Sequence, residues 1–409
     1  MGTSDRSHRC LTASTVPAIA SFTEGVPAPA RHWRERWLRL RDRWRASPTF
    51  QRRAARIPRV RRIARRRAAQ VFDLVAGFVY SQVLLACVRV RLFDLLAAQP
   101  LPLAPLAARI GLEPDAALRL LEAAVALRLV ERRRGDRFGL GVLGAPLVGN
   151  AGVAAMVEHH GLLYADLAEP IALLRGRAGA ARLAQYWPYA GAADPREVSR
   201  EDVAAYSALM AASQPLVAEA VFEAIDLGAH RCLLDVGGGD GSFIVAAAAR
   251  APRLRFVHFD LPAVAEHATL NIARHGLGGR VQVHGGSFID DALPQGADIV
   301  TLLRVLHDHD DARVETLLGA VFQALPAGGT LLVAEPMADT PGAQAMGHAY
   351  FGFYLLAMGR GRPRSAQRLR QMLEQAGFVE TRLVATAQPL QSQVLVARRS
   401  SAKTLNTKT

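Results

Sequence analysis

The chain has 409 residues and a formal net charge of +14; half of its residues are hydrophobic and 21% are charged. That balance is globular, so it excludes a disordered or fibrous chain, and the length allows two or three domains. The charge excess is local. Arg31 to Arg67 holds sixteen arginines against Glu35 and Asp42, a surplus of fourteen, while the rest of the chain balances 34 basic against 34 acidic groups. A neutral body with one basic segment argues against nucleic acid as the partner of the whole protein. Lysine occurs only at Lys403 and Lys408, so part of the arginine richness is coding bias.

Residues 1–30 are rich in Ser, Thr, Ala and Pro and read as a flexible tail. Arg6 and Arg9 precede Leu11–Phe22, whose apolar residues are too scattered for the core of a signal peptide. Residues 31–69 read as an amphipathic helical segment. Trp33, Trp37, Leu40 and Trp44 are spaced 4, 3 and 4 apart, one stripe of a helix, with arginines on the other faces. Two readings stay open for this stripe. It suits the interface of an anionic membrane, and it equally suits packing on the protein's own core or on a partner subunit. Another helix begins at Arg59–Arg67. The longest apolar run, Leu74–Val88, has 15 residues. A bilayer needs about 20, so a buried helix and no transmembrane segment are expected.

Residues 70–225 read as a helical domain. Leu106–Ile110, the turn Gly111–Asp115 and Ala116–Leu127 form a helix–turn–helix pattern. Leu129–Glu131 and Arg137–Leu140 flank Arg132–Asp136 as a wing. This raises a winged-helix DNA-binding regulator as a distant alternative. The candidate recognition helix carries only Arg119 as a base-reading group and is otherwise Leu and Ala, too apolar to read a groove. Dimerisation and substrate lining fit this domain better. His159, His160 and Tyr164 fall in a helical stretch, Met156–Leu174, where surface or packing roles are the commoner fate of paired histidines. Pro195–Phe222 reads as a further helix.

From Arg231 the pattern alternates. Strands are expected at Cys232–Val236, Leu254–Phe259, Val281–His284, Asp298–Leu303 and Thr330–Ala334, with helices at Ser242–Arg250, Ala263–His275, Ala312–Leu325 and Ser365–Ala376. Val379–Thr386 and Gln393–Arg398 close as a strand pair. This is a doubly wound, mostly parallel seven-stranded α/β sheet over residues 226–400, followed by a tail at 401–409. Ligands of such sheets bind at the carboxyl ends of the strands.

After the first strand comes Asp235-Val-Gly-Gly-Gly-Asp-Gly241. Gly237-x-Gly239-x-Gly241 is not the spacing that cradles a pyrophosphate. Asp260 ends the second strand, 21 residues after Gly239, where a carboxylate can accept hydrogen bonds from ribose hydroxyls. A nucleoside ligand without a diphosphate fits, and S-adenosyl-L-methionine is such a ligand. The fourth strand runs into Arg304-Val-Leu-His307-Asp308-His309-Asp310-Asp311. His307 is the candidate general base, because a hydroxyl that attacks a methyl group must lose its proton. Glu335 ends the next strand, 28 residues on, placed to orient the imidazole and stabilise its charged form. Asp310 or Asp311 is expected to cap the following helix. Arg304 is a candidate to contact the cofactor or brace the site. The irregular spacing of the His/Asp cluster argues against a metal. Three distant cysteines, Cys10, Cys87 and Cys232, make no disulfide framework, so a reducing cytoplasm is the default.

LLDVGGGDGS, FDLPAV (259–264), LHDHDD (306–311), VAEP (333–336) and AGF (376–378) together resemble the class I O-methyltransferases of the caffeic acid and hydroxyindole type. The resemblance implies a Rossmann-like catalytic domain preceded by a winged-helix-like dimerisation domain. It implies that Asp235, Gly237, Gly239 and Asp260 belong to the S-adenosyl-L-methionine site, with Ser287 and Phe288 at the adenine, and that His307 and Glu335 are catalytic. Three departures stand out. His309 replaces the Trp after His-Asp, Gly286-Ser287-Phe288 lacks an adenine-side carboxylate, and Pro363 stands where a second supporting Glu is expected. The base is then held by one carboxylate at most. The N-terminal string from Pro48 to Ala97 is similar to the bacterial carotenoid-pathway O-methyltransferases of the demethylspheroidene or hydroxyneurosporene type. That likeness implies methylation of a tertiary 1-hydroxyl on an acyclic carotenoid, in a photosynthetic bacterium, by a homodimer. An O-methyltransferase for a phenol or polyketide is the alternative. Residues 31–67 would then give a cytoplasmic enzyme peripheral contact with the inner or intracytoplasmic membrane that holds its substrate.

Overall fold

A computed structural model describes residues 33–54, 56–176, 181–187, 200–387, 389 and 392–401. The expected tail over 1–30, the first residues of the Arg/Trp segment, the start of the helix expected at Pro195, and residues 402–409 lie outside the described residues. The chain divides into two compact units, Met1–Phe78 and Val79–Thr409.

In the first unit, α1 (Trp33–Ala46) and α2 (Pro48–Ala54) bury no residue. Trp33, Trp37, Leu40 and Trp44 are all exposed, Trp33 at 77%. Trp44 stacks on Phe50 with ring centres 6.5 Å apart, and Arg41 lies 5.6 Å over the Trp37 ring. The third helix, α3 (Pro58–Arg89), is one 32-residue element. Its apolar run was expected to be buried. Only Leu85 and Cys87 are, whereas Leu74, Val75, Phe78 and Val79 are exposed in the single chain, as are Val71 and Phe72 ahead of the run. By length and composition α3 is apolar enough to cross a membrane, with a mean hydropathy of 1.9 in its best 18-residue window.

In the second unit, the end of α3, α4 (Leu92–Ala98), α5 (Leu103–Ile110) and α6 (Pro114–Ala126) surround a core of Cys87, Leu92, Phe93, Leu106, Leu121 and Phe138. Gly111 ends α5 in the left-handed conformation, and Pro114 opens α6. The wing is the antiparallel pair β2 (Val130–Arg133) and β3 (Arg137–Leu140), with the two-residue β1 (Leu101–Pro102) on its other side. Then follow α7 (Ala151–Asp166), α8 (Pro170–Leu174), α9 (Arg182–Tyr186) and the long α10 (Arg200–Ala224). His159 Nε2 meets Tyr354 Oη and His160 Nε2 meets Tyr350 Oη, each at 2.9 Å. The histidine pair thus clamps α7 to the segment 345–358.

The catalytic sheet contains β4 (Cys232–Val236), β5 (Arg255–Asp260), β6 (Val281–Gly285), β7 (Ile299–Leu303), β8 (Thr330–Glu335), β9 (Phe378–Val384) and β10 (Gln393–Arg399). Their order is β6-β5-β4-β7-β8-β10-β9, with the first five parallel and β10 antiparallel to both neighbours. The intervening helices are α11 (Ser242–Arg250), α12 (Pro262–Arg274), α13 (Asp311–Ala324), α14 (Phe351–Met358, entered through a π-turn at Ala345–Tyr350) and α15 (Ala366–Gln375). Strand alternation makes two cores. Leu234, Val236, Val300 and Leu302 face α13 and α15, while Leu233, Ile299 and Leu332 pack with Phe243 of α11 and Val221 of α10. The chain runs outward through β4, β5 and β6, then returns to place β7 on the other side of β4. That reversal opens a crevice between the carboxyl ends of β4 and β7.

Candidate active site

The loop after β4 forms one wall of the crevice. Gly237, Gly239 and Gly241 have φ of 69°, 59° and 78°, a region that favours glycine. Space demands glycine as well. A Cβ on Gly237 would lie 2.6 Å from Val305 Cγ2, and one on Gly238 would lie 2.7 Å from His258 Cδ2. Asp260, at the end of β5, accepts the Gly239 N–H at 2.8 Å and the Leu261 N–H at 2.7 Å. Burial raises its carboxyl to about 6 against the pull of these two donors. Beneath the loop, His258 Nε2 contacts the Gly239 carbonyl at 2.8 Å. A carbonyl only accepts, so the imidazole carries its proton on Nε2. Burial pushes His258 down to about 4 and keeps it neutral. Nothing in the sequence pattern marks this residue. Asp235 is also beneath the loop. It takes the Thr301 hydroxyl at 2.6 Å, it does not line the cleft, and burial raises it to about 7.

The cleft holds about 1270 Å³ including its open mouth, and Gly237, Gly239, Asp260, Ser287, Phe288, Arg304, Asp308 and His309 line it together with Trp187 and Met358. His309 sets its ring edge-on to Phe288, centres 5.2 Å apart. An imidazole thus supplies the aromatic surface expected of a Trp there. Burial lowers it to about 4, so it acts as a neutral ring. Asp291 accepts the Ser287 N–H at 2.8 Å and holds the loop in place without itself lining the cleft. Arg304 has φ 59° and donates to Ser213 Oγ, the Met210 carbonyl and Gln214 Oε1 on α10. It braces a helix against the cleft.

The base loop after β7 is the other wall. His307 is buried and is not among the cleft-lining side chains. Its Nδ1 is 3.6 Å from Glu335 Oε1 and its Nε2 is 3.1 Å from Asp308 Oδ1. Two carboxylates therefore flank the ring, where one at most was expected. The second comes from the adjacent residue in the same tight turn, a position that comparison at Pro363 does not reveal. Burial draws the imidazole down, but Asp308 and Glu335 outweigh it, so His307 is raised above its ordinary value. Burial lifts Asp308 to about 6, with His307 opposing. Glu335 Oε1 also accepts the backbone N–H groups of Leu306 and His307. Asp310 caps α13 by accepting the Arg313 N–H at 2.9 Å. Arg364, 4% exposed, donates to the carbonyls of Leu306 (2.7 Å) and His309 (2.8 Å) and to Asp311 (2.7 Å). It holds the loop from behind, a role no motif announced. Among the described residues no group of three or more His, Cys, Asp or Glu is placed to hold a metal.

The residues present fit S-adenosyl-L-methionine. The glycine backbone permits close approach, Asp260 keeps lone pairs for ribose hydroxyls, and Leu261, Val264, Phe288 and Ile289 offer an apolar lining for adenine.

The O-methyltransferase domain family matches residues 164–379, and the O-methyltransferase dimerisation domain matches residues 72–155. The demethylspheroidene O-methyltransferase of Cereibacter sphaeroides is 44% identical over 367 residues, covering 89% of this chain and 95% of that protein. Its counterpart in Rhodobacter capsulatus is 42% identical over 347 residues, covering 84% and 85%. Among solved structures, the mitomycin 7-O-methyltransferase MmcR superposes with a TM-score of 0.66 at 25% identity, over 83% of this chain and all of that one.

Proposed function

The chain belongs to the O-methyltransferase family and depends on S-adenosyl-L-methionine, and on that premise we propose that its acceptor is the tertiary hydroxyl of an acyclic hydroxylated carotenoid. The observation that carries the acceptor is the similarity to demethylspheroidene O-methyltransferases across most of the length of both chains. The cofactor supplies a methyl group on a positively charged sulfur. This chain supplies the rest. Gly237, Gly239 and Asp260 hold the nucleoside, and Trp187, Met210 and Met358 give the cleft an apolar wall for the acceptor. His307 takes up the hydroxyl proton, with Glu335 and Asp308 stabilising the resulting imidazolium. A tertiary alcohol is a poor acid, so a base that acts as the methyl moves matters more than it would for a phenol.

Support for the setting comes from the N-terminal half of the chain. The matched dimerisation domain supports a homodimer. Residues 31–67 carry the whole charge surplus, and α1 exposes three tryptophans. A Trp/Arg surface suits peripheral contact with an anionic bilayer, where an apolar polyene dissolves. The test is to supply labelled S-adenosyl-L-methionine with either a 1-hydroxylated acyclic carotenoid or simple phenols. A labelled carotenoid methyl ether is expected; label in phenols alone overturns the acceptor. Vesicle flotation tests the membrane contact. Binding to phosphatidylglycerol vesicles should fall when Trp33, Trp37 and Trp44 become Ser, and equal flotation of both proteins would contradict it.

A further inference from the structure

We propose that Asp308 is a catalytic residue: its carboxylate receives the acceptor's hydroxyl proton and passes it to His307. Three observations carry this. Asp308 lines the cleft beside Arg304 and His309, whereas His307 does not. Asp308 Oδ1 is buried without a hydrogen-bond donor and lies 3.1 Å from His307 Nε2. The opposite ring nitrogen faces Glu335, whose Oε1 is already engaged by two backbone N–H groups, and the Phe351 ring lies edge-on to His307 at 6.0 Å. The route from the cleft to Nε2 therefore crosses the Asp308 carboxylate.

The chemistry balances. The hydroxyl oxygen forms a bond to the methyl carbon, the carbon–sulfur bond breaks, and its electron pair stays on the sulfur. The hydroxyl proton goes to Asp308, and a proton from Asp308 goes to Nε2. Asp308 ends as a carboxylate again, and the imidazolium lies between it and Glu335. The positive charge lost from the sulfur reappears on the imidazole, within 3.6 Å of two carboxylates. Burial lifts Asp308 to about 6, while Asp308 and Glu335 raise His307 above its ordinary value, so the imidazole is the favoured final holder of the proton.

The proposal rests on methyl transfer to a hydroxyl and not on which hydroxyl compound is used. Its test uses single-turnover transfer of labelled methyl to whichever acceptor the wild-type protein methylates, together with cofactor affinity by equilibrium dialysis. Asp308→Asn should slow transfer by about a thousandfold, within the range for lost acid–base catalysis, while cofactor affinity stays within about threefold. Formate should restore activity at least about tenfold to Asp308→Ala and not to His307→Ala, because only the former leaves a carboxylate-sized gap beside an intact base. Transfer by Asp308→Asn within about threefold of wild type would overturn the proposal. So would a parallel fall in rate and cofactor affinity without formate rescue, which would make Asp308 part of the cofactor seat. Should the wild type methylate phenols alone, the carotenoid acceptor fails while the Asp308 comparison proceeds on the phenol.

Discussion

Replacing Arg364 with Met keeps the aliphatic stem and removes the fork that holds the base loop. The guanidinium is buried and donates to two backbone carbonyls, Leu306 and His309, that bracket His307 and Asp308. Each bond from a charged donor is worth about 1.5–3 kcal/mol. The pairing with Asp311 adds little, since that carboxylate is a third exposed and is also held by Arg368. The expected loss is therefore about 3–5 kcal/mol, the range for leaving buried partners unpaired. Urea unfolding measures it, and the slope against urea should not change. Turnover should fall more than cofactor affinity, because the loop that moves carries the base and not the glycines. Arg364→Lys keeps the charge but cannot reach both carbonyls, so it should fall between wild type and Met. A loss below about 1 kcal/mol for Arg364→Met, with unchanged turnover, would refute the bracing role.

Asp235 is raised to about 7 by burial. A carboxyl raised in the folded state stabilises fully below its unfolded value and loses that contribution as pH rises through the folded value. Asp235→Asn keeps an acceptor for Thr301 but cannot ionise, so its stability relative to wild type should increase between about pH 4.5 and 7.5; a flat difference across urea titrations would contradict the burial argument. Gly237→Ala should weaken cofactor binding at least about tenfold, through strain of about 1–3 kcal/mol at positive φ and the approach to Val305; calorimetric affinity equal to wild type would show that the loop yields. His309→Trp should keep cofactor affinity within about threefold, since an aromatic ring already packs on Phe288. A Kd more than about tenfold weaker would mean that the imidazole has a shape-specific role.

The sheet was legible because its apolar runs, such as Cys232–Val236 and Thr330–Glu335, are short, buried on both faces and separated by helical periods. The glycine loop and Asp260 were legible for a local reason: both lie at strand ends, where the chemistry of such sheets gathers. What sequence spacing missed depends on distance in space. Arg364 reads as one arginine among many until its fork is seen behind Leu306 and His309. His258 reads as a strand residue until its ring is found under Gly239. The histidines at 159 and 160 meet tyrosines nearly two hundred residues away. The apolar run of α3 was misread as buried because hydropathy states what a surface prefers, not whether one chain alone covers it.

The most direct measurement compares kcat/KM for a 1-hydroxylated acyclic carotenoid, presented in anionic vesicles, with kcat/KM for a simple phenol under saturating S-adenosyl-L-methionine. The carotenoid should be preferred by at least about a hundredfold, with the product recovered as its methyl ether and the preference lost along with turnover in His307→Ala. Equal or greater efficiency on the phenol, or a His307→Ala protein that methylates the carotenoid at the wild-type rate, would contradict the account.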